Sequence, residues 1–163
     1  MIRGIFVDSS AWIAIFDPKD QHHPEALTAL RAAADGHLRL LTSDYVLSET
    51  VTRLRMSASH GIALRAWEAL EGGWMAALLE VEPDCRSRAL IRFRKCHDQH
   101  FSLTDCTSFT LMDDLGILDA LTFDADFRRA GFRTSPGPRY PGPLLKPRRR
   151  RPDQSSGGTQ RAL

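Results

Sequence analysis

Acidic side chains recur in this sequence where an apolar run has just ended. Asp8 follows Ile5-Phe6-Val7 and precedes Ser9-Ser10, and the pair Asp124/Asp126 follows Ala120-Leu121-Thr122-Phe123. Glu49 and Asp105 fall early in helices that open near Ser43-Asp44 and Ser102. Carboxylates gathered within a few ångströms repel one another unless a cation neutralises them. With no Cys/His set at metal-ligand spacing, an oxygen-only group of ligands points to Mg²⁺, with Mn²⁺ as a possible substitute. Two such ions about 3.5–4 Å apart can activate a water and stabilise the leaving oxygen of a phosphodiester. The chemistry is metal-assisted hydrolysis. Each acid also has a plainer reading that the residues leave open. Asp8 can be a turn or cap residue, Asp105 the third residue of a capping box, Asp124 an N-cap and Glu49 a solvent-facing helix residue.

The elements that must position these acids are legible in outline. Gly4-Ile5-Phe6-Val7 reads as a buried strand, with Ser9 or Ser10 capping the apolar helix Ala11–Phe16. A helix is expected over 22–35 with Gly36 as its terminator, then a strand over 38–42 and a helix opened by Ser43-Asp44. Residues 61–72 form a further amphipathic helix, 77–81 a third strand, and Pro83 begins a basic helix running to about His100. Leu90, Ile91 and Phe93 are its expected packing residues. Ser102-Leu103-Thr104-Asp105 has the form of a capping box before Phe109, Leu111 and Met112, and Gly116 ends that helix. A strand over 118–123 runs into Asp124, and 131–133 is a last short strand. Strands alternating with helices over short links imply one α/β domain of three layers around a mainly parallel sheet. Ligands in such sheets bind beyond the carboxyl ends of the strands, where these acids fall.

Composition narrows the class further. The 163 residues are 42% hydrophobic and 26% charged, ordinary for a soluble domain, and no apolar run is long enough to span a bilayer. The start runs directly into a strand, leaving no room for a signal peptide, and a cytoplasmic protein is expected. Cys85, Cys96 and Cys106 fit free thiols in a reducing compartment. Residues 1–135 carry 15 Lys/Arg against 19 Asp/Glu, whereas 136–163 carry 7 against 1. The body is therefore mildly acidic, unlike a protein that holds nucleic acid by charge alone. Residues 136–163 also hold six of the nine prolines and the run Arg148–Arg151. That segment is expected to be a disordered tail outside the 1–135 domain, either simply solvated or adding loose attraction to phosphates.

Four segments, Phe6–Trp12, Thr42–Thr50, Ser102–Cys106 and Ala120–Phe127, resemble the PIN-domain family, most closely the VapC-type ribonucleases of bacterial toxin–antitoxin pairs. The resemblance covers about residues 2–133. It implies a PIN-like fold and a Mg²⁺-dependent endoribonuclease. Asp8, Glu49, Asp105 and Asp124 would be the acidic quartet that holds the metal, with Asp126 auxiliary. Ser9 or Ser10 and Thr104 would supply supporting hydroxyls. It further implies an RNA substrate, a homodimer and a small VapB-type antitoxin that blocks the site with a basic side chain. Cys106 departs from the pattern, where a small residue such as Ala is expected. A housekeeping RNA-processing nuclease and a non-cleaving RNA-binding scaffold remain as readings of the same acids.

Other residues carry weaker signals. His97 and His100 can share a helix face, and His22 and His23 lie in a polar loop. Trp12, Phe16, Trp67 and Trp74 read as core or interface rather than base-stacking platforms. Arg86, Arg88, Arg92 and Arg94 can meet phosphates or simply water. Phosphotransfer domains also use a strand-end Asp. A haloacid dehalogenase needs a second Asp at position 10, which is Ser, and a receiver needs a late strand-end Lys, which 118–135 lack.

Overall fold

The computed structural model describes residues 4–137. Its elements are β1 (Gly4–Val7), α1 (Ser9–Phe16), α2 (His23–Asp35), β2 (Arg39–Ser43), α3 (Asp44–Ser57), α4 (His60–Glu71), β3 (Ala77–Leu79), α5 (Pro83–Lys95), α6 (Leu103–Leu115), β4 (Asp119–Leu121), α7 (Asp126–Arg129) and β5 (Arg133–Ser135). The strands form one sheet in the order β3-β2-β1-β4-β5, and every neighbouring pair is parallel. Ile5, Phe6 and Val7 are all buried in β1, as are Leu41, Thr42 and Ser43 in β2. Successive strand residues point to opposite faces, so both faces of the sheet are covered. The result is the three-layer α/β architecture expected. The tail expected from 136 onward lies, from 138 to 163, outside the described residues.

The strand order has a consequence for function. The chain moves from β1 through β2 to β3 on one side, then returns to place β4 against the other side of β1. The carboxyl ends of β1 and β4 are thus neighbours at the point where the order reverses, which is where open α/β sheets form their crevice. The Asp8 amide donates to the Leu121 carbonyl at 3.0 Å and closes this junction. Trp12, fully buried in α1, donates from Nε1 to Thr42 Oγ1 at 3.1 Å, and that hydroxyl donates to the Val7 carbonyl at 3.0 Å. Trp12 therefore ties the ends of β1 and β2 together beneath the crevice.

Phe109 of α6 is the centre of an aromatic group. It meets Phe101 and Phe127 edge-on at 5.2 and 4.9 Å between centroids, and Phe132 at 5.4 Å. Phe127 follows Asp126, so this contact docks the loop after β4 onto the helix that carries Asp105. Aromatic pairs of this geometry add to simple burial.

Several details differ from expectation. Asp8, not Ser9 or Ser10, is the N-cap of α1, because its carboxylate accepts the Ser10 amide. Gly36 does end α2, but with a φ of −77°, and His37 is the residue that takes the left-handed value of 51°. Helix α5 stops at Lys95, leaving His97 and His100 exposed in the following loop. Its buried residues are the small Cys85 and Ala89, while Leu90, Ile91 and Phe93 are exposed. Arg88 and Arg92 lie toward α6, paired with Asp114 and Asp113, and that pairing turns the large apolar side chains outward. Trp67 and Trp74 are also exposed rather than core, Trp74 at 83%. The last strand occupies 133–135, two residues later than expected. Cys106 is fully buried in the core, so the larger residue is accommodated by packing.

Candidate active site

Asp8 leaves β1 with its side chain buried at the crevice. Its Oδ2 accepts from the Ser10 amide at 3.2 Å, the Ser10 hydroxyl at 2.7 Å and the Thr122 hydroxyl at 3.0 Å. The two hydroxyls in turn accept backbone amides of the loop after β4. Phe123 donates to Ser10 Oγ at 3.0 Å and Asp124 donates to Thr122 Oγ1 at 2.9 Å. Ser10 and Thr122 therefore couple the Asp8 carboxylate to the backbone that presents Asp124. Ser9 is buried beside it, with its hydroxyl 3.5 Å from Asp8 Oδ1. Thr122 is not among the residues expected at the site. The signal available was a hydroxyl at a strand end two residues before an Asp.

Asp105 reaches the crevice from the first turn of α6. The capping box forms in full, with Asp105 Oδ2 accepting the Ser102 amide at 2.7 Å and the Asp105 amide donating to Ser102 Oγ at 3.0 Å. One oxygen serves the cap. The cap and the site readings are therefore compatible in the same residue, as they are for Asp8.

One carboxylate oxygen from each of Asp105, Asp124 and Asp126 lies within 4.8 Å of the other two. Asp124 Oδ1 also accepts the Asp126 amide at 2.9 Å, which closes the turn that brings the two acids together. Asp126 is buried and paired with Arg129. The grouping differs from the expected quartet. Asp126, expected as an accessory, stands within the cluster, while Asp8 adjoins it. Glu49, on α3, is outside this group of three and faces Arg53 at 3.5 Å. Thr104, the residue before Asp105, lines the same groove as Glu49.

The electrostatics follow from this crowding. Burial raises the pKa of Asp8 above the ordinary carboxylate value, opposed by the hydrogen bonds from Ser10 and Thr122. Burial likewise pushes Asp105 up to about 6, opposed by its bonds to Ser102 and reinforced by the negative charges of Asp8 and Asp124. A buried carboxylate raised by its neighbours gains from a proton or from a cation. At neutral pH a divalent cation is the better answer, and an all-oxygen donor set suits a hard one. The residues present fit a divalent metal.

The PIN domain family matches residues 5–133 of this sequence. The chain belongs to the PIN-domain family. It is 34% identical over 128 residues to the 23S rRNA-specific endonuclease VapC20 of Mycobacterium tuberculosis strain H37Rv, a match spanning 78% of this chain and 95% of that relative. The crystal structure of Mycobacterium tuberculosis VapC20, a sarcin–ricin loop cleaving toxin, is similar with a TM-score of 0.73 at 32% identity, over 79% of this chain and 96% of the other. VapBC2 from Rickettsia felis, solved with a promoter DNA fragment, has a TM-score of 0.61 at 12% identity, covering 82% and 97% of the two chains. FitAcB from Neisseria gonorrhoeae has one of 0.57 at 13%, covering 80% and 95%. These last two likenesses speak for the fold alone. Among the described residues no helix is long and apolar enough to cross a membrane.

Proposed function

We propose that this PIN domain is a Mg²⁺-dependent endoribonuclease and the toxin of a type II toxin–antitoxin pair. The observation that carries the reading is the convergence of Asp105, Asp124 and Asp126 beside the buried Asp8, at the strand-order reversal of a domain similar to an rRNA-cleaving toxin. Asp8, Asp105 and Asp124 would hold the metal, with Asp126 in the same cluster, and the family resemblance adds Glu49. When bound, the cation supplies positive charge that lowers the pKa of a water and offsets charge on the phosphodiester. The chain's own residues do the positioning. Ser10 and Thr122 hold the Asp8 carboxylate in one orientation, the Ser102 cap holds Asp105, and the Phe109–Phe127 contact holds the Asp124 loop against α6.

RNA is the proposed substrate, and the same reading supplies a VapB-type antitoxin and a second copy of the chain as partners. Leu90, Ile91 and Phe93, exposed on α5, support a protein partner on that face. The decisive experiment maps cleavage ends in total RNA after induction of the parent and of Asp8→Asn. New ends are expected with the parent alone, together with slowed growth that co-expressed antitoxin relieves. Equal cleavage by a folded Asp8→Asn protein in Mg²⁺ would overturn the mechanism. Cleavage without a growth effect would instead indicate a processing nuclease.

A further inference from the structure

A groove of about 440 Å³, lined by α3 and by the residue that precedes Asp105, is within the size range of small-ligand sites. Its long wall is α3. Tyr45, Ser48, Glu49, Thr52 and Arg53 fall at i, i+3, i+4, i+7 and i+8, so they form one stripe along the helix. At 1.5 Å per residue the stripe is about 12 Å long. Thr104, one residue before Asp105, also lines it. Besides the carboxylates of Asp44 and Glu49, the groove offers an aromatic ring, three hydroxyls and a guanidinium.

The charges in the groove decide what it can hold. Asp44 turns its Oδ1 to the backbone, accepting the Tyr45 amide at 2.9 Å and the Val81 amide at 3.1 Å. Arg53 meets Glu49 by a single contact of 3.5 Å, with side chains 57% and 31% exposed. Exposed pairs of this kind contribute little. A phosphate, which an arginine can take through two parallel hydrogen bonds, competes well for that guanidinium. Tyr45 is half-buried and packed against the core, which holds its ring in place.

Resting on the ribonuclease reading above, we propose that this α3 groove is the subsite for the nucleotide next to the scissile phosphate. Tyr45 stacks on the base, Ser48, Thr52 and Thr104 meet the sugar and base edges, and Arg53 binds the next phosphate along the strand. Tyr45 and Arg53 are positioning residues for the substrate, since neither stands among the clustered acids.

The test uses the full-length protein and a labelled single-stranded RNA oligonucleotide spanning the cleavage site mapped for the parent. Steady-state cleavage is measured for the parent, Arg53→Ala, Arg53→Lys, Tyr45→Ala and Tyr45→Phe between 50 and 200 mM salt, a range of roughly the kind over which phosphate contacts are read. Arg53→Ala is expected to raise KM about tenfold with kcat nearly unchanged, and to reduce the slope of log(kcat/KM) against log[salt] by about 0.7, one phosphate contact on a single strand. Arg53→Lys should restore the slope. Tyr45→Ala should raise KM about tenfold and Tyr45→Phe should behave as the parent, because stacking needs the ring and not the hydroxyl. An unchanged slope in Arg53→Ala, or a loss confined to kcat, overturns the subsite and leaves Arg53 as a support for Glu49. A parent that cuts no RNA overturns the ribonuclease reading itself, which the Arg53 and Tyr45 comparisons would not do.

Discussion

Replacing Asp105 by Asn should stabilise the metal-free protein at neutral pH. Asp105 is 7% exposed, and burial with the adjacent Asp8 and Asp124 charges moves it from 3.8 up to about 6. At 1.36 kcal/mol per unit, a displacement of that size costs the folded state about 2–3 kcal/mol once the carboxylate is ionised. The sign follows from proton uptake. Below about pH 4 both folded and unfolded chains hold the proton and the cost is absent. As pH rises from about 4 to 6 only the unfolded chain ionises, so stability falls, and above about 6 the cost is complete. Asn keeps the carbonyl that accepts the Ser102 amide, so the cap survives while the charge goes. In EDTA at pH 7.5 the variant should melt about 4–10 °C above the parent, and the difference should vanish near pH 4. Mg²⁺ at a hundred times its Kd should close most of that gap, because the parent then gains about 2.7 kcal/mol while the variant has lost a charged ligand. A variant that is less stable than the parent in EDTA at pH 7.5, or an advantage that persists at pH 4, would refute the reasoning.

Other expectations rest on separate parts of the site. Ser10→Ala removes a donor to Asp8 and the acceptor of the Phe123 amide, so Mn²⁺ affinity by calorimetry should fall about 10–100-fold, and an unchanged affinity would show that Asp8 needs no such support. Phe109→Ala should cost about 3–5 kcal/mol in denaturant unfolding, since the ring is fully buried against Phe101, Phe127 and Phe132; a loss below about 1 kcal/mol would mean the aromatic group does not hold the Asp124 loop. Asp8→Asn should lower cleavage of RNA in Mg²⁺ by at least about a hundredfold while far-ultraviolet circular dichroism stays that of the parent.

Local chemistry made much of this protein readable before any fold was in view. Strand ends followed by acids, Ser102 three residues before Asp105, Pro83 at a helix start and Gly116 at a helix end are short-range signals, set by backbone hydrogen bonding within a few residues. They sufficed for the order of elements and the α/β class. The same local view misjudged α5, where spacing marked Leu90, Ile91 and Phe93 as packing residues. Which face is buried depends on what the helix meets, and here Arg88 and Arg92 meet the acids of α6.

What the sequence alone determined was the set of acids and the kind of element each would end or begin. Only the tertiary structure decided which of them share a space. Thr122 and Asp8 are 114 residues apart, and they touch because β4 returns to the far side of β1. That choice of neighbour places Asp124 and Asp126 against Asp105, while Glu49 pairs with Arg53 on α3. The physical reason is that strand order depends on burying both faces of the sheet at once, a condition on the whole chain.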